Sequence, residues 1–302
     1  MKIDRNVLKN VWKFFQLVFT NWDQDNCFRL SAALSYYTIF SIAPVILMVI
    51  ATAGYFLGEE AISGLIFARI SNIVGASSAL AVQSVVQNAY VGRPNSISTW
   101  VAVATLIFSS TVVVTALQNS LNTIWKVQVR PDRSIVNFLL KKLVAIGLII
   151  LFGVILTASV LVSTIISGFY QFLSGYLGEV SFLLLQYSQH GLNLFVLTLL
   201  FAVVFKFLPD AKIKWSWVWL GAIVTSVLFM IGKSVIAYYL AHSKLDSVYG
   251  AAGSIIILIV WINYSSWIFF FGAEVAYSTV KMKGIDVKAG RYAVKYKVSI
   301  ES

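Results

Sequence analysis

Residues 249–278 read YGAAGSIIILIVWINYSSWIFFFGAEVAYS. One charged residue, Glu274, interrupts a run that is otherwise apolar, aromatic or small. A helix that crosses the hydrocarbon core of a bilayer needs about 20 mostly apolar residues. Water cannot accommodate that much contiguous apolar surface on one segment. The stretch therefore predicts a transmembrane helix over roughly 252–280.

Working outward, five more stretches pass the same test, at roughly 31–57, 98–117, 143–168, 191–208 and 215–241. The fourth is short, and its start can be extended back to Val180. Of the 302 residues, 59% are hydrophobic and 12% charged. Soluble domains carry about 45–50% apolar and about 25% charged residues. The mean hydropathy of +0.83 points the same way. The expected fold class is all-α, an integral membrane bundle of about six transmembrane helices plus interfacial amphipathic helices. The chain divides into a cytoplasmic amphipathic helix (1–24), a six-span membrane domain (25–280) and a basic cytoplasmic tail (281–302).

The net charge of +11 lies between the apolar runs. Basic residues are retained on the cytoplasmic side of a membrane protein. Five precede the first span, five lie between the second and third, three between the fourth and fifth, and six follow the last. These nineteen fall on one side and three, Arg69, Arg93 and Lys244, on the other. The asymmetry predicts a multi-pass bacterial inner-membrane protein with both termini cytoplasmic. Tryptophans mark the interfaces, with Trp215, Trp217 and Trp219 at the inner start of the fifth span and Trp100 at the outer start of the second.

Residues 5–22 lack the continuous apolar core and cleavage site of a signal peptide. Val7, Leu8, Val11, Trp12, Phe15, Val18, Phe19 and Trp22 instead share one helical face, with Arg5, Lys9 and Lys13 opposite. Such a helix lies in the headgroup plane. Membrane lipids, above all anionic phospholipid headgroups, are the expected partners; a homo-oligomer is left open, and no nucleic acid is expected. In the outer connection 59–97, Ile62, Leu65, Ile66, Ile70 and Ile73 recur at helical spacing, as do Val82, Val85, Val86 and Ala89. Two short amphipathic helices are expected there, on the outer surface or capping the bundle.

Polar side chains inside lipid are costly unless they face partners or water, which makes them informative. Ser31, Ser35, Thr38 and Ser41 form a stripe in the first span, followed by Pro44, where a kink is expected. Thr111, Thr115, Gln118 and Asn122 share a face of the second span. Asn263 and Glu274 share a face of the sixth, with Glu274 about 9 Å from its inner end at helical rise. Lys206 closes the fourth span on the same side and is the expected partner of Glu274. These groups can converge on a polar pocket open to the cytoplasm. Lys233 lies about 27 Å into the fifth span, in its outer half, with Ala222, Ser226 and Ala237 on its face. Plainer readings exist for each. Serine and threonine stripes join helices, lysines snorkel to an interface, and Glu274 can serve as a structural hydrogen-bond partner.

Catalytic signals are missing. The single cysteine, Cys27, excludes an internal disulfide. His190 and His242 both fall on the outer side, away from any carboxylate cluster. The sequence contains no Walker A, G-x-S-x-G or H-E-x-x-H motif. No enzymatic activity, metal or cofactor is expected.

Several segments together resemble the YihY/BrkB family of bacterial inner-membrane proteins. They are SAALSYYTIFSIAPVILMVIATAGYFLG at 31–58, LQNSLNTIWKV at 117–127, FKFLPDAKIKW at 205–215 and GAIVTSVLFMIGKSVIAYYL at 221–240, together with the opening stretch at 249–278. The resemblance covers roughly residues 25–280 and implies a six-span helical inner-membrane protein. The family has carried a ribonuclease BN label, and its members have been linked to serum resistance and lipid export. The absent metal and acid–base constellation argues against transferring the nuclease label. The leading expectation is transport of a lipid or amphipathic envelope component without an ATPase of its own. The alternatives are a small-solute or proton/cation-coupled transporter using Glu274, and a structural, envelope-organising membrane protein.

Overall fold

The computed structural model describes residues 5–74, 76–90, 112–129, 143, 147, 150–155, 158–159, 161–169, 179–242, 251–290 and 293–295. The chain is mostly helical. α1 spans Arg5–Gln24, α2 Cys27–Leu57, α3 Glu59–Val74 and α4 Ala76–Tyr90. α5 covers 112–124 and leads into β1, Val127–Val129. Helical stretches at 151–155 and 161–169 follow. Then come α6 (Glu179–Phe207), α7 (Trp215–His242), α8 (Ala251–Met282) and β2 (Ala293–Lys295). Most of the expected second span and much of the third lie outside the described residues, as do Trp100 and Thr111.

Three segments among the described residues are long and apolar enough to cross a membrane: Tyr187–Phe207 in α6, Trp215–Ile236 in α7 and Ile255–Met282 in α8. Their outward faces suit lipid. Phe195, Ile231, Val235 and Ile255 are each more than half exposed. In water a contiguous surface of that kind drives association; against acyl chains it is ordinary. The fourth apolar run is the C-terminal part of a longer helix that begins at Glu179. α2 is also longer than its apolar run, starting at Cys27 and continuing as helix through Pro44.

α7 and α8 meet at a crossing made of small residues. A side chain added at Gly221 would overlap the Gly272 carbonyl oxygen and stand 2.8 Å from the Ala276 Cβ. One added at Gly272 would collide with Thr225. Gly221/Thr225 and Gly272/Ala276 each have small-xxx-small spacing, which lets two backbones approach until dispersion contacts replace side-chain filling. Gly232 repeats the device one layer away, against the Tyr264 ring.

Two apolar cores result. One collects Trp22, Leu121, Trp125, Phe205, Val218 and Phe270. The other holds Ile46, Phe67, Val82, Val86, Ile236 and Trp261. The second explains the outer connection. α3 and α4 insert Phe67, Val82 and Val86 between α2, α7 and α8, so these helices cap the bundle.

The opposite end is tied by backbone. β1 and β2 pair antiparallel, with Val127 facing Lys295 and Val129 facing Ala293. A further bridge joins Ala211 to Ala289, and Lys212 donates to the Lys288 carbonyl at 2.8 Å. The first half of the basic tail is therefore woven into the loops after α5 and α6, and a small two-stranded ribbon joins the helices.

Candidate functional site

Glu274 is fully buried. Its neighbours come from the junction of α1 and α2. α1 stops because Asn26 adopts a left-handed backbone, φ 51°, which asparagine tolerates better than most residues. The bend sets Asp25 and Cys27 on either side of Asn26 and turns both toward α8. The Cys27 thiol donates to Glu274 Oε1 at 3.6 Å. The Asp25 carboxyl faces Glu274 and forms an ion pair with Lys126.

Lys126 arrives from another direction. It follows α5 and is also left-handed, φ 56°. A lysine in that region costs about 1 kcal/mol or more, so the surroundings must hold it there. The Asp25 ion pair and the flanking β1–β2 ribbon do so. The Lys126 ammonium also lies 5.9 Å from the centre of the Tyr277 ring.

The charges in this cluster do not cancel. Among the described residues two carboxyls face one ammonium. Asp25 Oδ2 and Glu274 Oε2 are buried and have no hydrogen-bond donor among the described residues. Two facing carboxylates cannot bond to each other, but one proton shared between them would satisfy both oxygens. Burial of an uncompensated charge is strongly unfavourable, so the arrangement calls for a proton or another cation. Among the described residues no group of three or more His, Cys, Asp or Glu is placed to hold a metal ion.

Around this centre α1 is pinned to α8. Asn21 donates to Ser278 Oγ and accepts from Lys281, both at 2.9 Å. Phe19 and Trp22 pack on Phe271. The rest of the apolar face of α1 stays open: Val11, Trp12 and Phe15 are exposed. The side chains of Arg5, Val7 and Leu8 lie outside the described residues.

The other polar residues fall elsewhere. Gln118 and Asn122 donate to the two Asp210 carboxylate oxygens, at 3.2 and 2.7 Å, and the Asp210 amide returns a 2.8 Å bond to Asn122. This face of α5 thus clamps the loop before α7. Thr115 sits one turn earlier on α5. Lys206 does not reach Glu274; it donates to the Ile213 carbonyl and closes the same loop. Ser31, Ser35 and Thr38 each bond the carbonyl four residues back in α2, the usual way a helix satisfies a hydroxyl in an apolar setting. Ser41 is buried on the same helix. Asn263 reaches Ser35 at 3.3 Å and joins α8 to α2. Lys233 is exposed, while Ala222 and Ser226 on α7 are buried. The side chains of Pro44 and Ala237 lie outside the described residues.

Asp25, Cys27 and Lys126 give no signal in the sequence as members of a site. Asp25 stands among scattered acids and Lys126 among orienting cations, and no local pattern joins either to Glu274.

Two cavities accompany this geometry. One of about 230 Å³ lies beside the cluster and is lined by Trp125, Lys126, Tyr277 and Lys281, among others. Another, of about 260 Å³, is uncharged and polar, lined by Ser163, Thr164, Ser167, Gln189 and Asn193. Gln189 precedes Lys206 by about 26 Å of helix, which puts this second cavity toward the opposite end of α6.

No solved structure matches the chain. Among curated relatives, a UPF0761 membrane protein of Legionella pneumophila (strain Corby) is 27% identical over 88% of this chain and 61% of its own length. The chain thus spans less than two thirds of that relative. One from Alteromonas mediterranea is 27% identical over 89% of this chain and 88% of its own. One from Glaesserella parasuis is 29% identical over 64% of this chain and 65% of its own. The Virulence factor BrkB family model matches residues 18–293, nearly the whole membrane-like portion and the Asp25–Glu274 cluster with it, and the chain belongs to this family of membrane proteins.

Proposed function

We propose that this chain is a non-enzymatic transporter of the bacterial inner membrane whose cycle is coupled to a proton shared by Asp25 and Glu274. One observation carries the reading: among the described residues, a buried carboxyl pair has a single counter-cation and two oxygens lacking donors. A structural salt bridge needs balanced charge; a coupling site needs an imbalance that a mobile cation can relieve. The pair also lies between α1, α2 and α8, so a change in its charge acts directly on the contact between three helices.

The cargo we assign is a lipid or amphipathic envelope component, moved without ATP hydrolysis by this chain. The exposed Val11, Trp12 and Phe15 of α1, with Lys9 and Lys13 on the opposite face, support this class. An apolar, aromatic face backed by a basic one seats a helix at an anionic headgroup layer.

The test is flux of fluorescent phospholipid by the full-length protein in sealed vesicles, with and without an imposed pH gradient. Glu274→Gln keeps the shape and removes ionisation. It is expected to reduce the gradient-driven component by about tenfold, within the usual range of coupling between sites, while thermal stability and membrane level stay near wild type. Wild-type gradient-driven flux in Glu274→Gln would reject coupling and leave the cluster a lock between helices.

The orientation is part of the proposal: six spans, with both termini in the cytoplasm. A cytoplasm-dependent reporter fused after Ser302 should be active, and one inserted at Asn95 silent. The nineteen-to-three asymmetry of basic residues motivates this. A periplasmic signal from the C-terminal fusion would overturn the map.

A further inference from the structure

The cavity beside Lys126 has features that the carboxyl pair does not use. Its lining brings together Trp125, Lys126, Tyr277, Lys281, Asp286 and Lys295. Three ammonium groups meet one carboxylate there, and that carboxylate is taken by Lys295. Lys126 and Lys281 approach the Tyr277 ring, each at 5.9 Å from its centre. Trp125 is fully buried, and its indole N–H has no acceptor among the described residues. Buried donors without acceptors are rare because each costs about 1–3 kcal/mol. Trp125 lines the cavity, and a spare donor beside three ammonium groups fits an acceptor-rich anion.

We infer that this cavity binds a phosphate-type anion, either the phosphoryl group of a lipid headgroup or free phosphate. The proposal rests on the transport reading only for its place in a cycle; the binding itself stands on the lining. The chemistry matches in three ways. A phosphoryl group offers several acceptor oxygens, enough for the indole N–H and for ammonium donors together. A volume of about 230 Å³ admits such a group with associated water. The position also suits a headgroup, since the cavity lies at the end of the apolar helix α8, where β2 and the end of α5 meet it, and Lys281 of its lining bonds to Asn21 of α1. Lys126 belongs to both sites. An anion in the cavity competes with Asp25 for this one ammonium and makes a proton on the carboxyl pair more favourable, so anion and proton would bind cooperatively.

The test uses full-length protein in a maltoside detergent, which carries no phosphoryl group. Inorganic phosphate is titrated by calorimetry, and phosphatidylglycerol is then introduced in graded amounts while thermal stability is followed. Two variants probe the site. Trp125→Phe removes the N–H together with part of the ring, so binding is compared at equal folded fraction, and Lys281→Gln removes one charge. Each should weaken phosphate binding by about tenfold, as expected for loss of one charge-assisted hydrogen bond. Saturable phosphate binding weakened by both variants supports the inference. If phosphatidylglycerol also stabilises the wild type but not the variants, the headgroup is the source; if it has no effect, free phosphate is. Absent binding, or binding unchanged in both variants, overturns it. Glu274→Gln separates the two proposals. It should lower gradient-driven flux about tenfold yet still bind phosphate, so a failed flux test leaves the cavity standing, and a failed titration leaves the carboxyl pair standing.

Discussion

Lys126→Met will destabilise the purified protein by about 3 kcal/mol, because breaking one side of a buried ion pair strands the other charge. The loss sits at the low end of the usual range since the Lys126 side chain keeps 18% of its exposure, against 4% for Asp25. Methionine preserves length and the left-handed backbone strain alike, so the substitution isolates the charge. Two carboxyls would then face each other with no cation, and the junction of α1 and α2 would detach from α5 and α8. The measurement is equilibrium unfolding in mild detergent or thermal stability by an intrinsic probe. Asp25→Asn in the same protein should restore most of the loss, to within about 1 kcal/mol, since it removes the stranded charge and keeps the shape. If Lys126→Met is neutral, or if Asp25→Asn fails to rescue it, the ion pair does not hold this end of the bundle.

Gly221→Ile will prevent accumulation of folded protein. The α7–α8 crossing has no room even for a methyl group, because the nearest atom, the Gly272 carbonyl oxygen, belongs to the backbone and cannot rotate away. Overpacking a tight core costs about 1–3 kcal/mol when side chains can yield; here two helix axes must separate, and with them the contacts of Thr225, Gly272 and Ala276. Gly221→Ala should already lower thermal stability measurably. Gly191→Ala is the control. Gly191 lies on α6, where an added methyl group would meet nothing within 4 Å among the described residues, and its substitution should be tolerated. Detergent-resistant monodisperse protein from Gly221→Ile would show that the helices do not cross at this point.

The helices were legible because their signals are local. A run of apolar residues fixes a crossing segment wherever its neighbours lie, so the segments in α6, α7 and α8 follow from composition alone. The amphipathic spacing of residues 5–22 likewise anticipates α1. Spacing also placed Glu274 and Asn263 on one face of α8. Tertiary structure decided what those faces meet. The Gln118 and Asn122 stripe, legible as a stripe, turns out to hold Asp210, across 92 and 88 residues of sequence. Lys206, apparent as a cation at the right end of its helix, directs its ammonium to the Ile213 carbonyl, a local loop bond that no apolar pattern announces.

The chain by itself therefore determined a membrane protein, the three crossing segments in α6, α7 and α8 and the one carboxylate in them that lipid could not tolerate unpartnered. Only the fold chose the partners. Cys27 reaches Glu274 across 247 residues and Lys126 reaches Asp25 across 101. Hydrophobicity acts on each segment through its own contact with solvent, so it can be read along the chain. Hydrogen bonds and ion pairs need two groups within a few ångströms and in the right orientation, and those conditions are set by the glycine crossing of α7 and α8 and by the left-handed turns at Asn26 and Lys126.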